Sequence, residues 1–191
     1  MPEARADSGG RRPRGERARD ILVAARQIME EYGHEELTMR RLGSAVGIRA
    51  PSLYKHFPDK AAVEVALIDE GFTEIAAAFE RALAECGESL ASLALAYRGF
   101  AREHPALYRL MTAGPLPRDR MRPGVEARAA APLLRVIPDP DLARAAWAWA
   151  HGMSILELDA RFPPDADLDA AWASGVAAFD LRCSKGGATN C

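Results

Sequence analysis

Between Thr38 and Lys60 the chain collects groups that bind phosphate oxygens and the edges of nucleic-acid bases. Thr38 and Ser52 supply hydroxyls, Arg40, Arg49, Lys55 and Lys60 positive charge, Tyr54 a phenol and His56 an imidazole, and no acid intervenes before Asp59. Ala50 and Pro51 keep the middle of the stretch compact, so that a helix beginning there could bring its backbone close to base edges in a major groove. Each group also has a plainer reading. Tyr54 can serve in packing, His56 can satisfy a helix end, and Lys55 and Lys60 can be solvated charges.

Catalytic chemistry finds no comparable cluster. No Ser/His/Asp order, activated cysteine, glycine-rich phosphate loop or metal-ligand spacing is present, and His34, His56, His104 and His151 fall in separate segments. The expectation is a protein that is not an enzyme and has no metal or cofactor. Cys86, Cys183 and Cys191 have no paired spacing and read as reduced thiols. Cys86 is expected to be buried or half-buried near a helix end. Only Cys183, between Arg182 and Lys185, has nearby cations able to lower its pKa, which would be needed for a redox switch.

The 191 residues, 49% hydrophobic and 27% charged, suit a globular protein with one large core or two small ones. No apolar run reaches the roughly 20 residues that span a bilayer. Residues 1–19 lack the apolar segment of a secretory signal, so a cytoplasmic protein without membrane partners is expected. The net charge of −2 conceals an asymmetry: residues 1–60 carry twelve Lys and Arg against nine Asp and Glu, and the rest of the chain is net acidic. A polyanion would therefore meet the front of the molecule.

The elements that must position these groups are helical throughout. Residues 1–15 read as a disordered basic arm, a solvated tail or one that follows a DNA groove. Ile21, Leu22, Ala25, Ile28, Met29 and Tyr32 recur at helical spacing over 17–32, and Gly33 stops that helix. Thr38 caps a short helix over 39–46, Gly47 turns the chain, and a third helix is expected over 50–57 with Pro51 in its first turn. Pro58 ends it and Asp59 caps a long helix from Lys60 to about Glu85. Helices follow over 90–103, 105–112 and 124–137, the last broken or restarted at Pro132, and then over 141–161 and 167–182. The Gly114–Pro117 and Arg122–Gly124 segments are expected to frame a mobile stretch. The fold class is all-α, with no strand alternation and no internal repeat.

The segment 37–60, with its glycine turn, Leu53-Tyr54-x-His56-Phe57 and Lys60 at fixed spacing, closely resembles the DNA-binding domain of the tetracycline-repressor (TetR) family over about residues 17–65. The resemblance implies a helix-turn-helix in which Thr38 and Lys60 meet phosphates and Arg40 reaches a base or phosphate. Arg49, Ala50, Pro51 and Ser52 would face base edges, and Tyr54, Lys55 and His56 phosphates or sugars. Arg49 stands where small or polar residues are frequent, and Gly43 replaces a typical alanine, which should loosen the first motif helix slightly.

The same resemblance implies a division into arm (1–15), helix-turn-helix domain (16–62), helical ligand-binding and dimerisation domain (63–184) and flexible tail (185–191). Trp147-Ala-Trp149-Ala-His151-Gly152, with His104-Pro-Ala-Leu-Tyr108, resembles a recurrent C-terminal type of the family known by its Trp-His-Gly signature. It implies a homodimer built from the last two helices, a palindromic double-stranded operator and a small effector, apolar or aromatic. Tyr108, Met111, Trp147, His151 and Met153 are the candidate pocket residues, although Met and aromatics at this spacing also make ordinary core. The 141–161 helix presents two apolar faces, Trp147/His151/Ile155/Leu158 and Ala146/Trp149/Met153/Leu156, and is expected to be buried on both sides. The alternatives are an effector-independent or activating regulator, or a helical adaptor that binds protein.

Overall fold

The structure, a computed structural model, describes residues 14–186. The expected arm and tail, with Cys191, lie almost entirely outside the described residues. Nine α-helices and one short 3-10 turn account for the secondary structure among the described residues. They form two units, one ending at Glu64 and the other beginning at Val65.

The first unit contains α1 (Arg14–Tyr32), α2 (Met39–Ala45) and α3 (Ala50–Leu53). Ile21, Leu22, Ala25, Ile28 and Met29 of α1 are buried together with Leu37, Leu42, Leu53, Phe57 and Val63. Thr38 is extended, and its Oγ1 accepts the Arg41 amide at 3.2 Å, which satisfies one of the orphan donors that open α2. Gly47 takes φ +65°, the left-handed conformation that reverses the chain after α2. Gly43 has a tighter role than loosening a helix: a Cβ there would stand 3.1 Å from the Ile48 carbonyl, so the glycine lets the turn fold back onto α2.

Two expectations are corrected in this unit. Tyr32 is half exposed and carries the Arg41 guanidinium 3.9 Å over its ring, so it lies outside the core. The third helix stops at Leu53, and residues 54–56 form a turn. The Leu53 carbonyl accepts both the His56 and Phe57 amides, at 2.9 and 3.0 Å. Pro58 bars any continuation past Phe57, because the residue before a proline is driven out of the helical region.

The second unit comprises α4 (Lys60–Cys86) from Val65 onward, α5 (Leu90–Glu103), α6 (Pro105–Thr112), α7 (Val125–Val136), α8 (Pro140–Leu158) and α9 (Leu168–Gly186). Cys86, the last residue of α4, is exposed rather than buried. Pro132 sits buried inside an unbroken α7, with no restart there. The stretch expected to be mobile is anchored instead. Met121 is buried with Val65, Ile68 and Val125, while the Arg122 amide donates to both carboxylate oxygens of the buried Asp69 at 3.1 Å.

Small residues form the buried stripe of α8: Ala143, Ala146, Ala150 and Ser154. Trp147 is 54% exposed and Leu156 42%, so one chain by itself buries a single side of this helix. Trp149 turns the other way. It packs edge-on to Trp172 and against Phe179 and Gly175 of α9.

Candidate functional site

The buried pairing of α1, α2 and Leu53 leaves a polar surface on the first unit. Arg40, Arg49, Pro51, Ser52 and Lys55 are exposed, Tyr54 is half exposed, and His56 is half-buried. Arg49 precedes α3 and its carbonyl accepts the Ser52 and Leu53 amides at 2.9 and 3.3 Å, so its side chain lies at the mouth of the helix. Ala50, Pro51 and Ser52 make its first turn. Tyr54, Lys55 and His56 fall on the turn beyond. Thr38, Arg40, Arg41 and Ser44 line a shallow groove on α2 together with Glu35 and Glu36.

Lys60 belongs to a small cluster. Its Nζ donates to the His34 carbonyl at 3.3 Å and pairs with Glu64 Oε1 at 3.4 Å, while the same carboxylate oxygen meets His34 Nε2 at 2.7 Å. Glu64 therefore positions the lysine from one helical turn away, a spacing visible in the sequence. Arg41 was not among the predicted contacts. It is fixed between Glu36, at 2.5 Å, and the Tyr32 ring.

In the second unit, Tyr108 and His151 come together and Tyr97 joins them. The Tyr108 hydroxyl lies 3.0 Å from that of Tyr97 and 2.8 Å from His151 Nδ1. Burial raises the pKa of both phenols and lowers that of His151. Trp147 stacks on His151 with ring centroids 6.4 Å apart. Met111 is elsewhere, pressed onto α4 at Gly71, where a Cβ would collide with its sulfur. Met153 is half-buried on α8. Tyr97 and Ser154 complete the cluster and were missed by sequence reasoning. Ser154 follows His151 by three positions on one helix face, whereas nothing in the sequence ties Tyr97 to Tyr108.

Beneath α5, Arg98 donates to both oxygens of Glu157, at 2.9 to 3.2 Å, and to Asp169. Trp172 donates its indole N–H to the same glutamate at 3.2 Å. The pairing with Glu157, set against partial desolvation, raises the Arg98 pKa further. This network joins α5, α8 and α9 and is structural.

Residues 21–67 match the family model for bacterial regulatory proteins of the tetR family, and residues 90–179 match the tetracycline repressor-like C-terminal domain. The chain belongs to the tetracycline-repressor family. It is a transcriptional regulator with a DNA-binding helix-turn-helix. A helix-turn-helix transcriptional regulator of Mycobacterium tuberculosis is 28% identical to it, with 97% of each chain covered. A protein of unknown function from Rhodococcus sp. RHA1 shares the fold with a TM-score of 0.74 at 24% identity, covering 91% of this chain and 97% of that one. A tetracycline-repressor variant from Acinetobacter baumannii AYE, crystallised with minocycline, superposes at a TM-score of 0.60 and 19% identity, covering 86% and 94%. Regulators of the tetracycline-repressor type are not enzymes, and no helix among the described residues is long and apolar enough to cross a membrane.

Proposed function

We propose that this regulator is a ligand-responsive repressor that binds a palindromic operator as a homodimer in the cytoplasm and leaves it when a small apolar or aromatic effector binds the second unit. The observation that carries the reading is the polar surface of α2 and α3. Arg40, Arg49, Pro51, Ser52, Tyr54 and Lys55 stand outward over a buried core, the arrangement a helix needs to enter a major groove. Arg49 to Ser52 read bases, and Thr38, Tyr54, Lys55, His56 and Lys60 hold phosphates. Residues 16–62 form the DNA-binding domain and 63–184 the effector and dimer domain.

Leu156 on α8 and the exposed Ala170, Ala173 and Ala177 on α9 support a dimer face, because small residues allow close helix approach. Two recognition helices about 34–36 Å apart would then occupy successive major grooves. Helix α4 carries both Lys60 and the core residues Ile68, Ile75 and Phe79, so an effector that shifts α4 changes the grip on DNA. DNA and effector oppose each other by the same coupling free energy.

The test is fluorescence anisotropy of the protein on its own upstream intergenic DNA against random DNA. Binding well above random, centred on an inverted repeat and weakened at defined bases by Arg49→Ala, supports the reading. Equal binding to both DNAs by a folded protein contradicts it.

A further inference from the structure

Resting on the reading that Lys60 holds a DNA phosphate, we propose that Glu64, anchored by His34, competes with that phosphate for the lysine and so limits how tightly the regulator binds DNA of any sequence. Lys60 opens α4, and the two acids nearest to it in sequence do different things. Asp59 Oδ1 accepts the Ala62 amide at 2.6 Å, so its charge serves the N-terminus of the helix. Glu64 lies one turn further on, on the same face as Lys60, and its Oε1 stands 3.4 Å from the ammonium.

An ordinary Lys–Glu pair one turn apart on a helix surface exchanges with water and contributes little. This pair is held from outside its helix, by the short 3-10 turn His34–Glu36. His34 Nε2 lies 2.7 Å from the same Glu64 oxygen, and the His34 carbonyl accepts from Lys60 Nζ at 3.3 Å. One residue thus grips the carboxylate through its ring and the lysine through its backbone. The Lys60 side chain is 33% exposed, so a phosphate can still reach it. The carboxylate beside it, however, cannot swing into solvent without breaking its bond to His34.

The arriving phosphate must therefore share the ammonium with a fixed negative charge. A unit charge a few ångströms away in water is worth about fivefold in affinity. Phosphates are alike in every sequence, so the penalty falls equally on operator and on unrelated DNA. Glu64 sets affinity and leaves sequence preference to the residues that face the bases.

Fluorescence anisotropy of the full chain, on its upstream intergenic duplex and on a scrambled duplex at one salt concentration, tests this. Glu64→Gln keeps the shape and removes the charge, and should tighten binding about fivefold for each protomer, by the same factor on both duplexes. Glu64→Ala should repeat the gain, and a tighter complex cannot arise from loss of fold. His34→Ala keeps the charge but removes its anchor, and should gain less than Glu64→Gln. Glu85→Gln makes the same change in net charge near the other end of α4 and serves as the control. A Glu64→Gln protein that binds no tighter than this control, or that gains on one duplex alone, would overturn the proposal, as would a His34→Ala protein of unaltered affinity. Lys60→Ala separates the two readings. Affinity lost there, with no gain in Glu64→Gln, sinks the competition alone; affinity unchanged there sinks the phosphate reading and the competition with it.

Discussion

The Tyr108 hydroxyl lies 2.8 Å from Nδ1 of His151, a hydrogen bond that ties α6 to α8. Tyr108→Phe leaves both the Tyr97 hydroxyl and His151 Nδ1 without this partner, and should cost about 1–3 kcal/mol. Tyr97→Phe spares the Tyr108–His151 bond and should cost less. Urea midpoints of the two variants check the order, and the reverse order would contradict the central place of Tyr108 between Tyr97 and His151.

His151 also sets a pH dependence. Burial disfavours its charged form, so its pKa in the folded protein lies below the ordinary 6.5. The unfolded chain then binds more protons as pH falls below that value, and stability declines from about pH 6.5 downward until the folded pKa is passed. His151→Phe should flatten this part of the profile of melting temperature against pH. An unchanged slope would show that another group is responsible.

The Arg98–Glu157 pair is nearly enclosed, with side chains 11% and 13% exposed. Glu157→Ala strands a guanidinium with the exposed Asp169 as its one remaining carboxylate and the Trp172 ring beside it, and should destabilise by about 3–5 kcal/mol. Replacing both partners by apolar residues, Arg98→Met with Glu157→Leu, should recover most of that loss. A double-mutant cycle by chemical denaturation reads the coupling, and a cycle close to zero would rule the pair out as a fastener of α5, α8 and α9.

Gly175 exists for the sake of Trp149. A Cβ at that position would collide with the indole, which is rigid and hemmed in by Trp172 and Phe179. Gly175→Ala should therefore cost about 1–3 kcal/mol despite the better helix propensity of alanine. Pairing it with Trp149→Phe should return part of the loss. Thermal melts that rank Gly175→Ala as neutral would contradict the packing.

What the sequence could and could not reveal follows from the range of each interaction. Thr38, Gly47, Asp59 and the α1 stripe act on neighbours within a few residues, so the helix-turn-helix was readable from spacing. The early stop of α3 was not readable, because Pro58 marks only the limit at Phe57 and the apolar positions at Leu53 and Phe57 suggested a longer helix. Arg98 and Glu157 are 59 positions apart, and Asp69 and Arg122 are 53 apart. No local period encodes such pairs, which is why the stretch around Met121 looked mobile and proved anchored. Of the residues named as pocket candidates, Tyr108 and His151 meet in one hydrogen bond, whereas Met111 packs α6 onto α4 at Gly71.

If the Thr38–Lys60 surface grips DNA through its phosphates, operator binding depends on salt. The logarithm of the affinity should fall linearly with the logarithm of salt concentration. Lys60→Ala should reduce the slope by about 0.9 for each protomer, leaving sequence preference intact. A slope that does not change in that variant, or an affinity indifferent to salt, would contradict the account.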